Sequence, residues 1–411
     1  MAEISADPAI ITDSPALNFD PADWPQWRGP GGNGVALPQT IPGDWSEARN
    51  IAWQVDVPGR GHSSPTLAGD LVVVATATSV PEQRQMVMAF DRRSGKQRWK
   101  TIVHTGGFPE ARKSHLASSN ANSTVAFDGD RFLVTFLNSN KIFLTALNLA
   151  GDQLWQTEVG EFGSKYGYAP SPMLYKSVVI VAADNWGGGY LAAVDLQSGE
   201  ILWRKKRPAV ATYSSPLIAN IDGRDQLVIS GCGKIASFDP TTGENLWAAR
   251  ASTEATCGTP VTDGKNVFAS GGFPGQQTAC VRGNGSGTVV WTNHVKVYEP
   301  SMLVHDGHVY AVTADGIGYC WSASDGSEHW KVRMEGEVRA SPVLCGELIL
   351  VPNLSGEVVV FLATDDAYKE VARHKLGDDI HASPAVAGGD LVIRVGIGAG
   401  QGRQERLVCI R

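Results

Sequence analysis

Long apolar runs and an excess of positive charge are both missing from this sequence. No stretch approaches the roughly 20 apolar residues that a membrane-spanning helix needs, so we predict no transmembrane segment. The 411 residues carry 35 Lys and Arg against 42 Asp and Glu, a formal net charge of −7. This balance lacks the positive surface of a protein that binds phosphate backbones, and we expect no nucleic-acid partner.

Cysteine is scarce, and its spacing matches none of the usual cysteine motifs. The six cysteines form no CxxC, no CxxCH and no adjacent pair, which excludes zinc-ribbon, haem-attachment and thioredoxin-type sites. We therefore predict no metal site and expect free, mostly buried thiols. The first ten residues have neither a basic nor an apolar region, so no secretory leader is recognisable in them.

A repeated unit is what the sequence does contain. Gly accounts for 46 of the 411 residues, which favours many tight turns over long helices. A unit of roughly 40 to 55 residues recurs along the chain, a period typical of propeller repeats. Its eight copies each begin with a pair whose first residue is small: Ser64-Pro65, Ser119-Asn120, Ser171-Pro172, Ser215-Pro216, Thr259-Pro260, Ser301-Met302, Ser341-Pro342 and Ser383-Pro384.

The end of most copies carries a second signature, a Gly four residues before a Trp. Six copies have it: Gly95/Trp99, Gly151/Trp155, Gly199/Trp203, Gly243/Trp247, Gly287/Trp291 and Gly326/Trp330. Between the two signatures, apolar and polar residues alternate in four short segments separated by turn residues, which predicts four strands per copy. Eight such units predict an all-β fold, an eight-bladed β-propeller of four-stranded antiparallel blades.

The two ends of the chain suggest how the ring closes. The eighth copy stops at residue 411, where its Gly and Trp should follow, while residues 50–57 resemble an isolated fourth strand with its own Trp53. We predict that blade 8 consists of 381–411 plus 50–57, so the propeller spans 50–411. Residues 1–49 are expected to be a partly disordered extension whose first 20 residues contribute little.

Large and small residues have predictable places in such a ring. Small residues suit the crowded inner strands, whereas a Trp on the outermost strand fills the wedge between neighbouring blades. We predict this structural role for seven Trp residues: Trp53, Trp99, Trp155, Trp203, Trp247, Trp291 and Trp330.

A funnel on the propeller axis is the predicted ligand position. Its lining should come from the residue three positions before the Pro of each starting pair: His62, Ala117, Ala169, Tyr213, Cys257, Glu299, Arg339 and His381. Six of these eight are polar or ionisable, which favours a pocket for a small anionic or hydroxylated ligand bound by His62, Tyr213, Cys257, Glu299, Arg339 and His381. A water-filled funnel is the simpler alternative. We expect Glu299 and Arg339 to pair across adjacent blades.

Two other segments are weaker candidates for binding. The insertion 104–115, with two His and Phe108, is either a lid or partner contact or a solvated loop. Residues 163–168 place Lys165 and two Tyr before the third copy, where they either contact a ligand at the rim or pack at the edge of the core.

The repeat resembles that of a known family. The segments AFDRRSGKQRW at 89–99, AVDLQSGEILW at 193–203 and DPTTGENLW at 239–247 are similar to the tryptophan-docking repeat of quinoprotein-alcohol-dehydrogenase-like propellers, also called PQQ-like propellers. The resemblance covers about residues 51 to 411. The family includes dehydrogenases that use pyrroloquinoline quinone with Ca²⁺ and a non-enzymatic branch represented by BamB, an outer-membrane assembly lipoprotein.

Departures from the enzyme branch shape the functional expectation. The adjacent Cys pair at the cofactor, the long insertions between blades and the CxxCH cytochrome segment typical of those dehydrogenases do not occur here. We therefore expect a monomeric, non-catalytic scaffold without cofactor, periplasmic or secreted in a bacterium, that binds a protein or cell-envelope partner. The alternatives are a pyrroloquinoline-quinone-dependent oxidoreductase with an atypical axial site and a small-ligand binder without turnover.

Overall fold

The first strands of eight small sheets surround a common axis in the computed structural model. The structure describes residues 2–46, 49–109, 118–398 and 400–411. Within them, eight antiparallel sheets each contain four blade strands, and the first strands of neighbouring sheets contact one another around the ring. This arrangement confirms the predicted eight-bladed β-propeller. No helix in these ranges is long and apolar enough to cross a membrane.

The strands follow the chain blade by blade, from the inside outwards. The elements before the first blade are β1 (Ile4–Ser5), α1 (Ala9–Thr12) and β2 (Ile51–Val57). Blades 1 and 2 contain β3 (Thr66–Ala68), β4 (Leu71–Thr78), β5 (Arg84–Asp91) and β6 (Gln97–Thr105), then β7 (Ala126–Phe127), β8 (Arg131–Asn138), β9 (Lys141–Asn148) and β10 (Gln153–Glu161). Blades 3 and 4 contain β11 (Met173–Tyr175), β12 (Val178–Ala182), β13 (Gly189–Asp195) and β14 (Ile201–Arg207), then β15 (Leu217–Ile221), β16 (Arg224–Gly231), β17 (Lys234–Phe238) and β18 (Asn245–Ala249).

The second half of the ring repeats this pattern. Blades 5 and 6 contain β19 (Val261–Thr262), β20 (Asn266–Gly271), β21 (Gln277–Arg282) and β22 (Val289–Asn293), then β23 (Leu303–His305), β24 (His308–Val312), β25 (Ile317–Ser322) and β26 (Glu328–Arg333). Blades 7 and 8 contain β27 (Val343–Cys345), β28 (Leu348–Pro352), β29 (Glu357–Leu362) and β30 (Glu370–Lys375), then β31 (Ala385–Ala387), β32 (Asp390–Ile397) and β33 (Gln404–Ile410), with β2 outermost. A 3₁₀ turn at Gly400–Gly402 precedes β33.

The ring closes in blade 8, where the two ends of the chain share one sheet. Strand β2 pairs antiparallel with β33, and its register places Trp53 opposite Cys409 and Val57 opposite Glu405. The closure predicted from the sequence is therefore confirmed. Because β2 completes the sheet, β33 does not present an open edge to other chains.

A belt of hydroxyl groups joins the inner strands around the axis. In seven of eight steps, the backbone N–H of the belt residue in one blade donates to the hydroxyl of the belt residue in the next. The belt residues are Ser64, Thr124, Ser171, Ser215, Thr259, Ser301, Ser341 and Ser383. The small residues that open seven of the predicted copies, and Thr124 in blade 2, thus have a hydrogen-bonding role as well as the steric one that we predicted.

Trp residues fill the wedges between blades in the predicted manner. Six indoles donate from Nε1 to a carbonyl in the turn between the third and fourth strands of the next blade: Trp53 to Arg92, Trp99 to Leu149, Trp155 to Leu196, Trp203 to Pro240, Trp291 to Ala323 and Trp330 to Thr364. Trp247 instead donates to Gln226 of its own blade, and Gln226 donates to the Gly283 carbonyl of blade 5. All seven predicted Trp residues therefore lie at blade junctions.

The N-terminal extension packs against the ring. Strand β1 adds a fifth strand outside β14, and Ile11 is almost completely buried beside blades 3 and 4. Because these contacts bury apolar surface, we no longer expect the first 20 residues to contribute little. Partial disorder of residues 1–49 stays a prediction; residues 1, 47 and 48 lie outside the described ranges.

Residues 22–36 of the extension cross the axis and contact the inner strands of six blades. The contacts run from residues 23–28 and 35–36 to blades 1, 2, 3, 5, 6 and 7, and they include Trp24 on Leu67, Trp27 Nε1 on the Thr259 hydroxyl and Val35 on Leu344. The eighth step of the belt would run from Ser215 to Thr259, and the Thr259 hydroxyl accepts from Trp27 Nε1 instead. Because Trp24 and Arg28 are each about 2% exposed, this segment plugs one end of the channel.

Candidate functional site: the axial funnel and the loop face

The predicted funnel residues lie at the end of the propeller opposite the plug. Strands alternate in direction within a blade, so the segment before each first strand shares one face with the connection between the second and third strands. We call this end the loop face and the other end the turn face. The funnel position of every blade is partly exposed, and the residue after it is buried in every blade, as expected for side chains that line an opening.

One funnel residue was assigned wrongly from the sequence. Ala117 lies outside the described residues. In blade 2, Ala126 pairs with Leu133 as Thr66 pairs with Val73 in blade 1, so Thr124-Val125 is the true starting pair rather than Ser119-Asn120. The funnel position of blade 2 is therefore Asn122, whose amide donates to the Tyr168 carbonyl. The insertion before this blade displaced the alignment of the repeat by five residues.

His62 and His381 meet where blades 1 and 8 join. Their rings stack with centroids 4.4 Å apart and an angle of 7° between the planes. Burial lowers the pKa of His381 to about 4, and burial, His381 and nearby Arg residues lower the pKa of His62 well below its usual value. Both imidazoles are therefore neutral at neutral pH. They offer hydrogen-bond donors and acceptors to a ligand but no positive charge.

The charged groups below this pair already neutralise one another. Arg403 forms two hydrogen bonds with Asp379 at 2.6 and 2.9 Å, and it also binds Glu405. Arg394 is fully buried and pairs with Glu405. Although burial alone raises the pKa of Asp379, the hydrogen bonds and charge of Arg403 bring it below its usual value. The blade 8 side of the funnel is thus an internal ion-pair network.

The rest of the funnel holds the other predicted residues. Glu299 and Arg339 form the ion pair that we predicted between blades 6 and 7, and Arg339 also binds Glu337 at 3.1 Å. The Tyr213 hydroxyl lies 2.8 Å from Ser164 Oγ, and its ring meets that of Tyr166 edge to face. Burial, together with the charge of Glu299, raises the pKa of Cys257, so this thiol stays protonated at neutral pH.

The described funnel residues do not fit a quinone–calcium site. Calcium takes six to eight oxygen ligands, several of them carboxylates. Here the funnel carboxylates Glu299 and Asp379 are each paired with an Arg, and burial raises the pKa of Glu299 further. A Ca²⁺ ion would have to displace Arg339 or Arg403 from these carboxylates, so we derive no reaction step from the quinone.

Several exposed aromatic side chains lie on the loop face. Tyr166, Trp186 and Phe273 are 41%, 58% and 59% exposed, and each lies in a connection on this face. Val80, at 77% exposure, occupies the corresponding connection of blade 1. A groove of about 670 Å³ next to Trp186 is lined by Phe108, Phe162 and Lys165. Together these residues form a partly apolar rim around the blade 1 to blade 5 side of the funnel.

The two weaker candidates from the sequence divide between rim and core. Phe108 and Lys165 belong to the groove, whereas His104 packs in β6 against Phe136 and Phe143. His115 lies outside the described residues. Sequence reasoning overlooked Phe273, although its place between the second and third strands of blade 5 matches that of Trp186 in blade 3.

The six cysteines are free and mostly buried, as predicted. Cys280, Cys320, Cys345 and Cys409 are buried, and Cys232 and Cys257 are partly exposed. Burial, and the charge of Asp184, raise the pKa of Cys232 to about 12, so neither partly exposed thiol is a reactive nucleophile at neutral pH.

Comparisons with known proteins agree with this architecture. The curated BamB of Bordetella pertussis (strain Tohama I) is 23% identical over 351 residues, covering 81% of this chain and 81% of the relative. The crystal structure of BamB from Moraxella catarrhalis superimposes with a TM-score of 0.63 at 16% identity, covering 88% of this chain and 99% of that one. Quinohemoprotein alcohol dehydrogenase from Comamonas testosteroni superimposes with a TM-score of 0.68 at 13% identity, covering 94% and 80%; these structural likenesses show the fold alone.

A family model settles the relationship at the level of the sequence. The model described as outer membrane protein assembly factor BamB matches residues 46–161, 83–332 and 286–411. These three matches overlap and together extend over all eight blades. The chain therefore belongs to the β-propeller family of the outer membrane protein assembly factor BamB.

Proposed function

We propose that this chain is a non-catalytic periplasmic scaffold that binds a protein of the outer-membrane assembly machinery through its loop face. The observation that carries the proposal is the exposure of Tyr166, Trp186 and Phe273 on that one face. Exposed aromatic residues are enriched among the side chains that dominate binding energy at protein interfaces. The family membership supplies the class of partner.

The rest of the molecule suits a rigid platform. The hydroxyl belt, the docked Trp residues and the closed blade 8 hold the loops on a frame with little freedom, which lowers the ordering cost of binding. The plug of residues 22–36 blocks the turn-face end of the channel, so the loop face is the accessible end of the axis.

The quinone-dependent alternative is weaker on physical grounds. The funnel carboxylates are committed to Arg403 and Arg339, and the two imidazoles are neutral. A small-ligand site without turnover has support only from the polar ring itself, whose charged groups Glu299 and Arg339 pair with each other. We therefore propose that no quinone cofactor is required and that the chain works as a monomer.

Site-specific photo-crosslinking in the source bacterium tests the docking surface. A photoreactive amino acid at position 186 should yield a crosslink to a protein of the outer-membrane assembly machinery. Position 149 is the matched control, because Leu149 is exposed to 51% but lies in a turn on the opposite face. Crosslinks to the same protein from both positions, or from position 149 alone, would contradict docking at the loop face.

Calorimetry with pyrroloquinoline quinone and Ca²⁺ tests the absence of a cofactor independently of docking. We expect no saturable heat and no alcohol-driven dye reduction. Stoichiometric quinone binding with dye reduction would replace the scaffold proposal by the oxidoreductase alternative. Sedimentation analysis checks the monomer, since an interface that buries the loop face between two copies would compete with the partner.

A further inference from the structure

Two histidines and an aspartate converge on the turn face, away from the funnel. His308 opens β24, His329 lies in β26, and Asp365 follows β29 of the next blade. The Asp365 Oδ2 atom lies 3.5 Å from His308 Nε2 and 3.8 Å from His329 Nδ1, and one ligand atom from each of the three residues lies within 4.8 Å of the others. All three side chains are partly accessible to solvent.

The junction between blades 6 and 7 brings these residues together. Trp330 donates to the Thr364 carbonyl at 2.8 Å, so the neighbours His329 and Asp365 are held next to each other across the junction. In β26, Trp330 pairs with Cys320 and Glu328 pairs with Trp321, so a register shift leaves His329 between them without a strand partner. The His308 ring faces the His329 ring, with centroids 4.8 Å apart. The arrangement is thus built from well-defined strands and a docking contact.

The same junction departs from the regular repeat. In blade 7, Ala372 stands at the strand position of the junction Trp, and Tyr368 occupies the position four residues earlier, where six other blades have Gly. The Trp330 ring meets the Tyr368 ring at 5.8 Å instead of lying over a Gly. An aromatic contact between the two blades thus replaces the regular Trp–Gly contact at this junction.

The chemistry of the three groups favours a divalent transition metal. Two imidazole nitrogens and one carboxylate oxygen suit Zn²⁺, Ni²⁺ and Cu²⁺, whereas Mg²⁺ and Ca²⁺ prefer an all-oxygen set. In a tetrahedral zinc site with bonds of about 2.1 Å, ligand atoms lie about 3.4 Å apart. The two separations from Asp365 approach this value already, and the imidazoles need only a small side-chain rotation to complete it.

We propose that His308, His329 and Asp365 form a zinc-type metal site that links blade 6 to blade 7. The protein supplies three ligands, and the fourth position is left to water, since the site faces solvent. Because two ligands come from blade 6 and one from blade 7, the ion acts across the junction. It binds the folded ring and not the unfolded chain, so it raises stability by linkage.

Titration of the untagged full-length chain with zinc chloride tests the proposal. Calorimetry should show one Zn²⁺ per chain, and the thermal midpoint should rise with zinc concentration and fall back after a chelator is added. Magnesium chloride should do neither. The variants His329→Ala and Asp365→Asn should lose both effects, while circular dichroism confirms that they fold, as expected for changes at accessible side chains.

His294→Ala is the matched control because this exposed histidine directly follows β22 of blade 5, outside the cluster. It should bind Zn²⁺ like the wild type. Absence of zinc binding by the wild type would reduce the cluster to an ion pair and overturn the proposal. If His329→Ala bound Zn²⁺ as the wild type does, or if His294→Ala lost binding as the cluster variants should, the ion would lie elsewhere. Either result would overturn the proposal as well. Binding without a rise in the thermal midpoint would contradict the link between blades.

Discussion

The junction between blades 3 and 4 and the junction between blades 7 and 8 reach the same packing with different residues. At the first, Trp203 lies over Gly243 and donates to the Pro240 carbonyl. At the second, the strand position of the missing Trp is Ala372, and Trp45 of the extension stacks on His374 two residues further along β30. Since residues i and i+2 share one face of a strand, Trp45 covers the face on which the repeat Trp would stand.

This comparison teaches that the ring depends on aromatic filling at each junction and not on the repeat motif as such. Trp203 and Trp45 are equally buried, each about 2% exposed. One is held in the outer strand of a blade, whereas the other belongs to the segment that leads into β2. The two therefore differ in how much structure must open when the indole is removed.

The largest effect is expected for Trp203→Ala. The change removes a buried indole and its hydrogen bond at a regular junction, and it should lower the free energy of unfolding by roughly 3–5 kcal/mol. Chemical denaturation followed by circular dichroism measures this loss. Trp186→Ala serves as the control, since this exposed residue should change stability by no more than about 0.5 kcal/mol; equal losses for the two variants would refute the role of the junction Trp.

Trp45→Ala should cost less than Trp203→Ala, although the side chains are equally buried. The extension can detach locally while the blades stay paired, so local opening limits the loss. Denaturation under the same conditions compares the two variants. A loss equal to that of Trp203→Ala would show that the extension and the blades unfold as a single unit.

Gly243→Ala and Gly287→Ala sharpen the comparison at the turns. Both glycines have a positive φ, +68° and +62°, so alanine at either position costs about 1–2 kcal/mol from backbone strain. At Gly243 a methyl group would also lie 2.7 Å from the Trp203 ring, whereas at Gly287 the nearest atom would be the Ala248 carbonyl oxygen at 3.0 Å. We expect the larger loss for Gly243→Ala. Identical losses would mean that the indole does not depend on the space over the glycine.

The smallest effect concerns pH at the junction of blades 7 and 8. Burial lowers the pKa of His374, so protonation favours the unfolded chain. The stabilising contribution is complete above the unfolded pKa of about 6.5 and declines as the pH falls towards the lower folded pKa. His374→Gln should therefore flatten the fall in unfolding free energy between about pH 7 and pH 5. Other buried histidines act in the same direction, but they are present in both proteins. If the pH dependence of the unfolding free energy of His374→Gln ran parallel to that of the wild type, the effect would be contradicted.

The regular parts of the molecule were predictable because the residue spacing within the repeat determines them. The Gly and Trp spacing located six of the seven junction Trp residues, and the incomplete last copy indicated Trp53 and the closure of blade 8. The funnel position was correct in seven blades for the same reason. It failed in blade 2, where Ser119-Asn120 imitates a starting pair five residues before Thr124-Val125.

The irregular parts could not be found from periodicity. Trp24, Trp27 and Trp45 precede the repeats, so no register indicates which blade each contacts. The cluster of His308, His329 and Asp365 depends on a register shift and on a docking contact between two blades, which no linear spacing encodes. The neutrality of His62 and His381 arises from stacking and desolvation and likewise required the structure.

Hydrogen exchange of Trp45→Ala tests most directly whether the extension supplies the missing aromatic group. Peptides covering 370–375 and 404–410, the strands on either side of this junction, should lose protection, while 201–207 and 245–249 in blades 3 and 4 keep theirs. Unchanged protection in 370–375 and 404–410, or an equal loss in all four segments, would contradict the account.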